Sequence, residues 1–212
     1  MMQVAFLAYE GLTCLDMIGP YEVFHSTPGI EVVFVNKTKG EIRPDSKAFG
    51  LVVDHALADV PHPDVFVIPG GLEGTFVAAG DPEILAWVRE AHAHSTLTTS
   101  VCTGSLILAA AGVLEGKRAT THWAARAMLE NYGVTFSPKR VVPEGKIITA
   151  AGVSSGIDMA LTAVAQLVDE DTAKAVQLGI EYDPQPPFDA GSPEKAGPKL
   201  QELALRALSG NA

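Results

Sequence analysis

Cys102 ends the apolar run Leu97-Thr98-Thr99-Ser100-Val101 and is followed at once by the small residues Thr103-Gly104-Ser105. A strand that delivers a side chain into a tight turn, with a helix starting just after it, is the layout of a nucleophile elbow. The following helix aims its free N–H groups and positive dipole end at that side chain, which predicts a lowered thiol pKa for Cys102. A free cysteine is also often just a small buried apolar residue, so the local sequence leaves both roles open. Asp16 is the second chemically notable residue, a single acid among apolar neighbours in Leu15-Asp16-Met17-Ile18-Gly19-Pro20. It can serve as an acid–base group or simply as a helix cap. The third feature is Pro69-Gly70-Gly71, which follows the apolar run Val65-Phe66-Val67-Ile68. Paired glycines let backbone N–H groups approach a ligand closely, although ordinary turns use them too.

Positioning these groups requires strands that end beside them. Short runs rich in β-branched residues alternate with segments of helical period, the pattern of a doubly wound α/β domain with a mainly parallel sheet. Strands are predicted at 4–8, 31–35, 65–68 and 97–101, with a hairpin-like excursion at 37–45 and a further short strand at 50–54. Helices are predicted at 16–25, 82–93, 104–111, 123–131, 155–168 and 170–180, and turns at 114–117 and 143–146. Asp81-Pro82-Glu83 and Asp169-Glu170-Asp171 supply acidic caps or first turns to two of those helices. The proline-rich stretch 182–198 cannot be regular structure and is expected to wrap the surface before a last helix at 199–208. The whole chain, 1–212, is read as one domain, with 182–212 as its surface segment and terminal helix. In such sheets ligands bind beyond the carboxyl ends of the strands, where Asp16, Gly70, Gly71 and Cys102 all fall.

Composition limits the partners. With 15 Lys plus Arg against 25 Asp plus Glu, the formal charge of −10 disfavours nucleic acid and anionic membranes, and a small-molecule substrate fits better. Two cysteines, Cys14 and Cys102, do not make a disulfide framework, and no Cys/His cluster has zinc-site spacing, so no metal is expected. This suits a reducing compartment. The N-terminus has no basic stretch followed by a long apolar one, so a cytoplasmic location is expected.

Together, Leu15-Asp16-Met17-Ile18-Gly19-Pro20, Ile68-Pro69-Gly70-Gly71, Ser100-Val101-Cys102-Thr103-Gly104-Ser105, the segment from Leu114 to Trp123 and Gly156-Ile157-Asp158-Met159-Ala160-Leu161 resemble the ThiJ/PfpI superfamily of glutamine-amidotransferase-like domains. The resemblance covers nearly the whole chain. The tail Glu181-Tyr182-Asp183-Pro184-Gln185-Pro186-Pro187-Phe188 with Gly191-Ser192-Pro193 narrows it to the isocyanide hydratase branch. Similar sequences form the amino-terminal part of AraC-type regulators, which continue into a helix-turn-helix region that is not found in these residues.

What the resemblance implies is a flavodoxin-like three-layer α/β/α sandwich and a homodimer with residues 16–25 near its interface. It makes Cys102 the nucleophile, Asp16 the acid beside the sulfur, Thr103 a residue whose N–H and hydroxyl face the pocket, and Gly71, next to Gly70, a second backbone donor. Val153 corresponds to a branched aliphatic packed near the thiolate. Peptidase relatives carry His directly after the nucleophile, and this chain has Thr103 there, which argues against proteolysis. His122 remains as another candidate base. The implied reaction is hydration of an isocyanide to an N-substituted formamide through a covalent thioimidate, with no metal or organic cofactor required. Two alternatives share the same cysteine: a glyoxalase or deglycase-like activity on reactive carbonyls, and a non-enzymatic oxidative-stress role through cysteine oxidation.

Overall fold

The protein is described by a computed structural model over residues 1–208. The chain divides into two units, residues 1–180 and the segment that begins at Glu181. The first unit contains β1 (Met2–Leu7), α1 (Cys14–His25), β2 (Ile30–Asn36), β3 (Gly40–Ile42), β4 (Leu51–Val53), β5 (His55–Ala56), β6 (Val65–Ile68), α2 (Glu73–Ala79), α3 (Pro82–His94), β7 (Leu97–Val101) and α4 (Gly104–Ala110). It continues through β8 (Arg118–Ala119), α5 (Arg126–Glu130), β9 (Thr135–Phe136), β10 (Val141–Glu144), β11 (Ile147–Ala150), α6 (Ser155–Leu167) and α7 (Glu170–Gly179).

One seven-stranded sheet runs in the order β10-β11-β7-β6-β1-β2-β5. All its pairings are parallel except β10 with β11. Central strands of a parallel sheet are covered on both faces, so they read as continuous apolar runs. β6 and β7 are buried at every position, and Phe66 and Ile68 of β6 and Val101 of β7 share the core with Phe6 of β1. Two helices start where the sequence placed acids. Asp81 accepts hydrogen bonds from the Glu83 and Ile84 N–H groups at 3.0 and 3.3 Å, and α3 buries Ile84, Trp87, Val88 and Ala91. Asp169 accepts from Thr172 N–H at 2.7 Å to start α7.

The mainly parallel α/β architecture agrees with the sequence reading, and so does the excursion after β2, where β3 pairs antiparallel with β4. Three local expectations need correction. Residues 143–146 were expected to be a turn, but Pro143 and Glu144 belong to β10 and face Ile148 and Ile147 of β11. A proline is tolerated there because β10 lies at the edge of the sheet. α2 was not foreseen, since it follows Gly70-Gly71 directly and buries only Gly74, Thr75 and Ala78. The helix expected over 123–131 starts as a separate 3-10 turn, Trp123–Ala125, before α5.

The second unit holds the proline-rich stretch and α8 (Pro193–Leu208), interrupted at Gly197, whose φ is 71°. The stretch 182–198 was expected to hold no regular structure and is corrected: Pro193 sits at the first helical position, where a proline is tolerated, and residues 193–196 are helical, while the break at Gly197 precedes the last helix expected from 199. Within the unit, Lys195 pairs with Asp189 at 2.5 Å, and Gln201 donates to the Pro193 carbonyl at 2.8 Å. Residues 209–212 of the expected terminal segment lie outside the described residues.

Candidate active site

β7 ends at Val101, and Cys102 adopts φ 58°, in the left-handed region that a residue with a side chain rarely occupies. The turn is held from both sides. Cys102 N–H donates to the Ala150 and Ala151 carbonyls at 3.0 and 2.9 Å, and its own carbonyl accepts the Ser105 and Thr121 hydroxyls, each at 3.1 Å. Strained backbone that is fixed by its surroundings in this way clusters at functional sites. Gly104 starts α4 pressed against the Ile68 and Pro69 carbonyls, where a Cβ has no room. The sulfur-bearing residue is only 6% exposed.

Asp16 reaches the same place from α1. Thr13 N–H donates to the Gly70 carbonyl at 2.8 Å, which ties the start of α1 to the loop after β6. Asp16 does not cap that helix: it lies within the first turn and is fully buried. Its Oδ2 accepts the Gly70 N–H at 2.9 Å, and Oδ1 is buried without a hydrogen-bonding nitrogen or oxygen partner among the described residues. Since Oδ2 is occupied by a donor, Oδ1 is the oxygen that can carry an acid proton. Gly70 cannot be larger, because a Cβ would lie 2.6 Å from both the N and Oγ1 of Thr103 and 2.8 Å from Asp16 Oδ2.

The two side chains interact and set each other's protonation. Burial raises the Asp16 pKa from 3.8 to about 7, against the opposing pull of the Gly70 N–H and of the Cys102 thiol. Burial also pushes the Cys102 thiol well above its ordinary range, and the negative charge of Asp16 adds to that. The Val153 and Thr103 backbone N–H groups act in the opposite direction but do not win. The expected lowering of the thiol pKa is therefore corrected, because a short helix N-terminus is outweighed by desolvation and an adjacent acid. Near neutral pH the pair holds a proton on sulfur, while Asp16 is poised between acid and carboxylate.

The remaining expected residues divide by what they touch. Thr103 N–H faces the sulfur, as expected, but the Thr103 hydroxyl is turned to Gly71. Gly71 N–H donates to Thr103 Oγ1 at 3.0 Å, and the Gly71 carbonyl accepts Thr103 Oγ1 at 2.9 Å and Thr75 Oγ1 at 2.8 Å. Gly71 is therefore not a free donor to a ligand, and its expected role is corrected, because Thr103 already occupies its amide. Gly70 is engaged likewise by Asp16. Val153 contributes more than an aliphatic side chain: at φ 29° its backbone N–H points at the sulfur. His122 uses Nδ1 to accept the Ala124 N–H at 3.3 Å, capping the turn that follows, and burial holds its pKa down. Its ring packs on Gly152, next to Val153, a structural placement.

Sequence reasoning gave Tyr9 no role and missed Thr75. Thr75 Oγ1 lies 2.9 Å from Thr103 Oγ1 and 3.1 Å from Tyr9 Oη, and Tyr9 donates to the Pro69 carbonyl at 2.8 Å. These buried hydroxyls fix the peptide from Pro69 to Gly71 and hence the amide that holds Asp16. Position offered a signal for Tyr9, just past the carboxyl end of β1, and nothing comparable marked Thr75.

A mainly parallel sheet with a cysteine on a strained turn beyond β7, an acid from the first helix and a glycine-rich loop between them define a class, and the sequence profile of the DJ-1/PfpI family matches residues 2–166. The chain belongs to the DJ-1/PfpI family. It is 43% identical over 197 residues to the isonitrile hydratase of Pseudomonas putida, an alignment that covers 92% of this chain and 85% of the relative. Among solved structures, a ThiJ/PfpI family protein from Pseudomonas syringae superimposes with a TM-score of 0.93 at 38% identity, covering 99% of this chain and 86% of that one. Drosophila melanogaster DJ-1beta shares the fold, with a TM-score of 0.78 at 23% identity over 85% of this chain and 97% of its own. The fold is the flavodoxin-like α/β fold of the family. No helix among the described residues is long and apolar enough to cross a membrane.

Proposed function

We propose that the protein hydrates an isocyanide to an N-substituted formamide, with Cys102 as nucleophile and Asp16 as the proton carrier. The observation that carries this reading is the buried Asp16–Cys102 pair, in which the acid is held near neutrality and one carboxyl oxygen is left without a partner. An isocyanide presents a terminal carbon that accepts a nucleophile and then needs a proton at the same carbon. A thiol and a carboxylate that exchange one proton satisfy both needs.

In the first half-reaction Asp16 removes the Cys102 proton as sulfur attacks the terminal carbon. The S–H bond breaks, the S–C bond forms, and Asp16 returns that proton to the carbon, giving a thioimidate. The Thr103 and Val153 N–H groups ease the transient charge on sulfur. In the second half-reaction Asp16 takes a proton from water as the water oxygen adds to the thioimidate carbon, and passes that proton to the nitrogen, leaving a hydroxyl on the tetrahedral carbon. Collapse then breaks the C–S bond as Asp16 carries the hydroxyl proton to the departing sulfur, which releases the formamide and restores the Cys102 thiol. No metal or organic cofactor enters this balance. The hydroxyl set of Tyr9, Thr75 and Thr103 positions Gly70 and through it Asp16.

The partners proposed with this activity are a small-molecule substrate and a second copy of the chain, without nucleic acid or membrane, in the cytoplasm. Light scattering at micromolar concentration is expected to give about twice the 22.3 kDa chain mass. The test of the reaction is a panel of isocyanides, methylglyoxal and peptides offered to the unmodified protein and to Cys102→Ala. Turnover of isocyanides alone, lost in Cys102→Ala, supports the reading. Turnover of methylglyoxal alone moves the protein to the glyoxalase class, and turnover of neither leaves the oxidative-stress role.

A further inference from the structure

We propose that His62, Glu90 and His94 form a surface site for a divalent transition-metal ion of the zinc, nickel or copper class, away from the nucleophile. In the sequence these residues have no metal-site spacing, since His62 lies 28 positions before Glu90. The fold brings them together. Glu90 and His94 sit one helical turn apart on α3, so their side chains share a face. His62 comes from the loop before β6, between Pro61 and Pro63, whose rings restrict the backbone. One ligand atom from each residue lies within 4.8 Å of the others.

The distances suit a common ion. Glu90 Oε1 is 2.8 Å from His62 Nε2 and 3.4 Å from His94 Nδ1. Adjacent ligand atoms of a tetrahedral zinc, bound at about 2.0–2.1 Å, are roughly 3.3 Å apart. The carboxylate is at ligand spacing from His94 and at hydrogen-bonding distance from His62, a contact that opens by about 0.5 Å on binding, which small rotations of these exposed side chains supply. The imidazole centroids are 4.0 Å apart, which places two basic groups side by side around one carboxylate. Two imidazoles and a carboxylate are a donor set that suits zinc, nickel and copper better than magnesium or calcium. Binding requires His94 Nδ1 to give up its 3.0 Å contact with the Glu90 carbonyl, which the carbonyl can lose because it also serves the helix. The negative net charge of the chain favours the approach of a cation.

The location assigns the ion a structural task. His62 precedes β6 and His94 closes α3 just before β7, so the cluster lies at the amino edge of the sheet. Cys102 and Gly70 follow the carboxyl ends of the same two strands, on the opposite edge. A bound ion would tie the loop at His62 to the end of α3 without touching the chemistry at Cys102.

The test uses untagged full-length protein stripped of metal with a chelator and titrated with zinc and with cobalt(II) at neutral pH. The expected result is one high-affinity ion per chain, an affinity lowered at least tenfold in His62→Ala and in Glu90→Gln, and unchanged binding in Cys102→Ser. Cobalt is expected to give ligand-field absorption without a sulfur-to-metal charge-transfer band. Absence of stoichiometric binding overturns the proposal, as does binding that His62→Ala and Glu90→Gln leave unchanged. A thiolate charge-transfer band that Cys102→Ser removes also overturns it, by placing the ion at Cys102.

Discussion

Asp16→Asn isolates the energetic cost of the acid. The folded protein raises the Asp16 pKa from 3.8 to about 7, so folding favours the protonated form. The full stability of the site is present below the unfolded pKa of about 4, is lost as pH rises through about 7, and levels off above about 8. At about 1.36 kcal/mol per pH unit, keeping the carboxyl ionised in this pocket costs the fold about 4 kcal/mol at high pH. Asparagine keeps an oxygen for the Gly70 N–H, fills nearly the same volume and has no proton to lose. Its amide meets the sulfur at a cost independent of pH, so the informative quantity is the change with pH. Urea unfolding of both proteins at about pH 5 and about pH 8.5 should show Asp16→Asn gaining about 2.5–3 kcal/mol on the unmodified protein between those two conditions. Parallel behaviour of the two proteins, within about 0.5 kcal/mol at both pH values, would refute the claim that burial holds Asp16 near neutrality.

The same pair governs the pH dependence of catalysis. The doubly protonated pair is inactive in the proposed mechanism, so kcat/KM for an isocyanide should rise with pH through about 7 and then hold, and Asp16→Asn should lack this limb and turn over roughly 10²-fold more slowly. A limb that falls near pH 7 would contradict the assignment. Gly70→Ala places a Cβ against Thr103 and Asp16 Oδ2. It should lower the unfolding free energy by about 1–3 kcal/mol and turnover by at least about tenfold, as read from urea unfolding and initial rates. Cys14→Ser should leave turnover within about twofold of the unmodified protein, because Cys14 starts α1 with ordinary helical backbone and not on a strained turn.

The core strands and the chemically important residues were legible because each carries a local signature. Leu97 to Val101 reads as a buried strand from its composition, and Cys102 stands out by the small residues that follow it. Asp16 stands out as one acid among apolar neighbours, yet nothing local reveals that Gly70 N–H, rather than an N–H of its own helix, donates to it. The protonation of the pair was not legible. A helix N-terminus predicts a lowered thiol pKa, whereas burial and the facing carboxylate are long-range properties that reverse its sign. The role of Gly71 was misjudged for a related reason, since the Thr103 hydroxyl that takes its amide is remote in sequence. β10 and β11 were hidden by Pro143 and Gly145, which read as a turn and are in fact an edge strand and its hairpin.

The central claim is a covalent bond between Cys102 and the isocyanide carbon. Acid quenching of the protein during turnover of an isocyanide, followed by intact-mass and peptide analysis, tests it most directly. The expected result is a mass increase equal to one intact isocyanide, located on the Cys102 peptide, absent from Cys102→Ser and lost as formamide forms. Formamide production at full rate with no adduct at any quench time, or with Cys102→Ser retaining turnover within about tenfold of the unmodified protein, would contradict it.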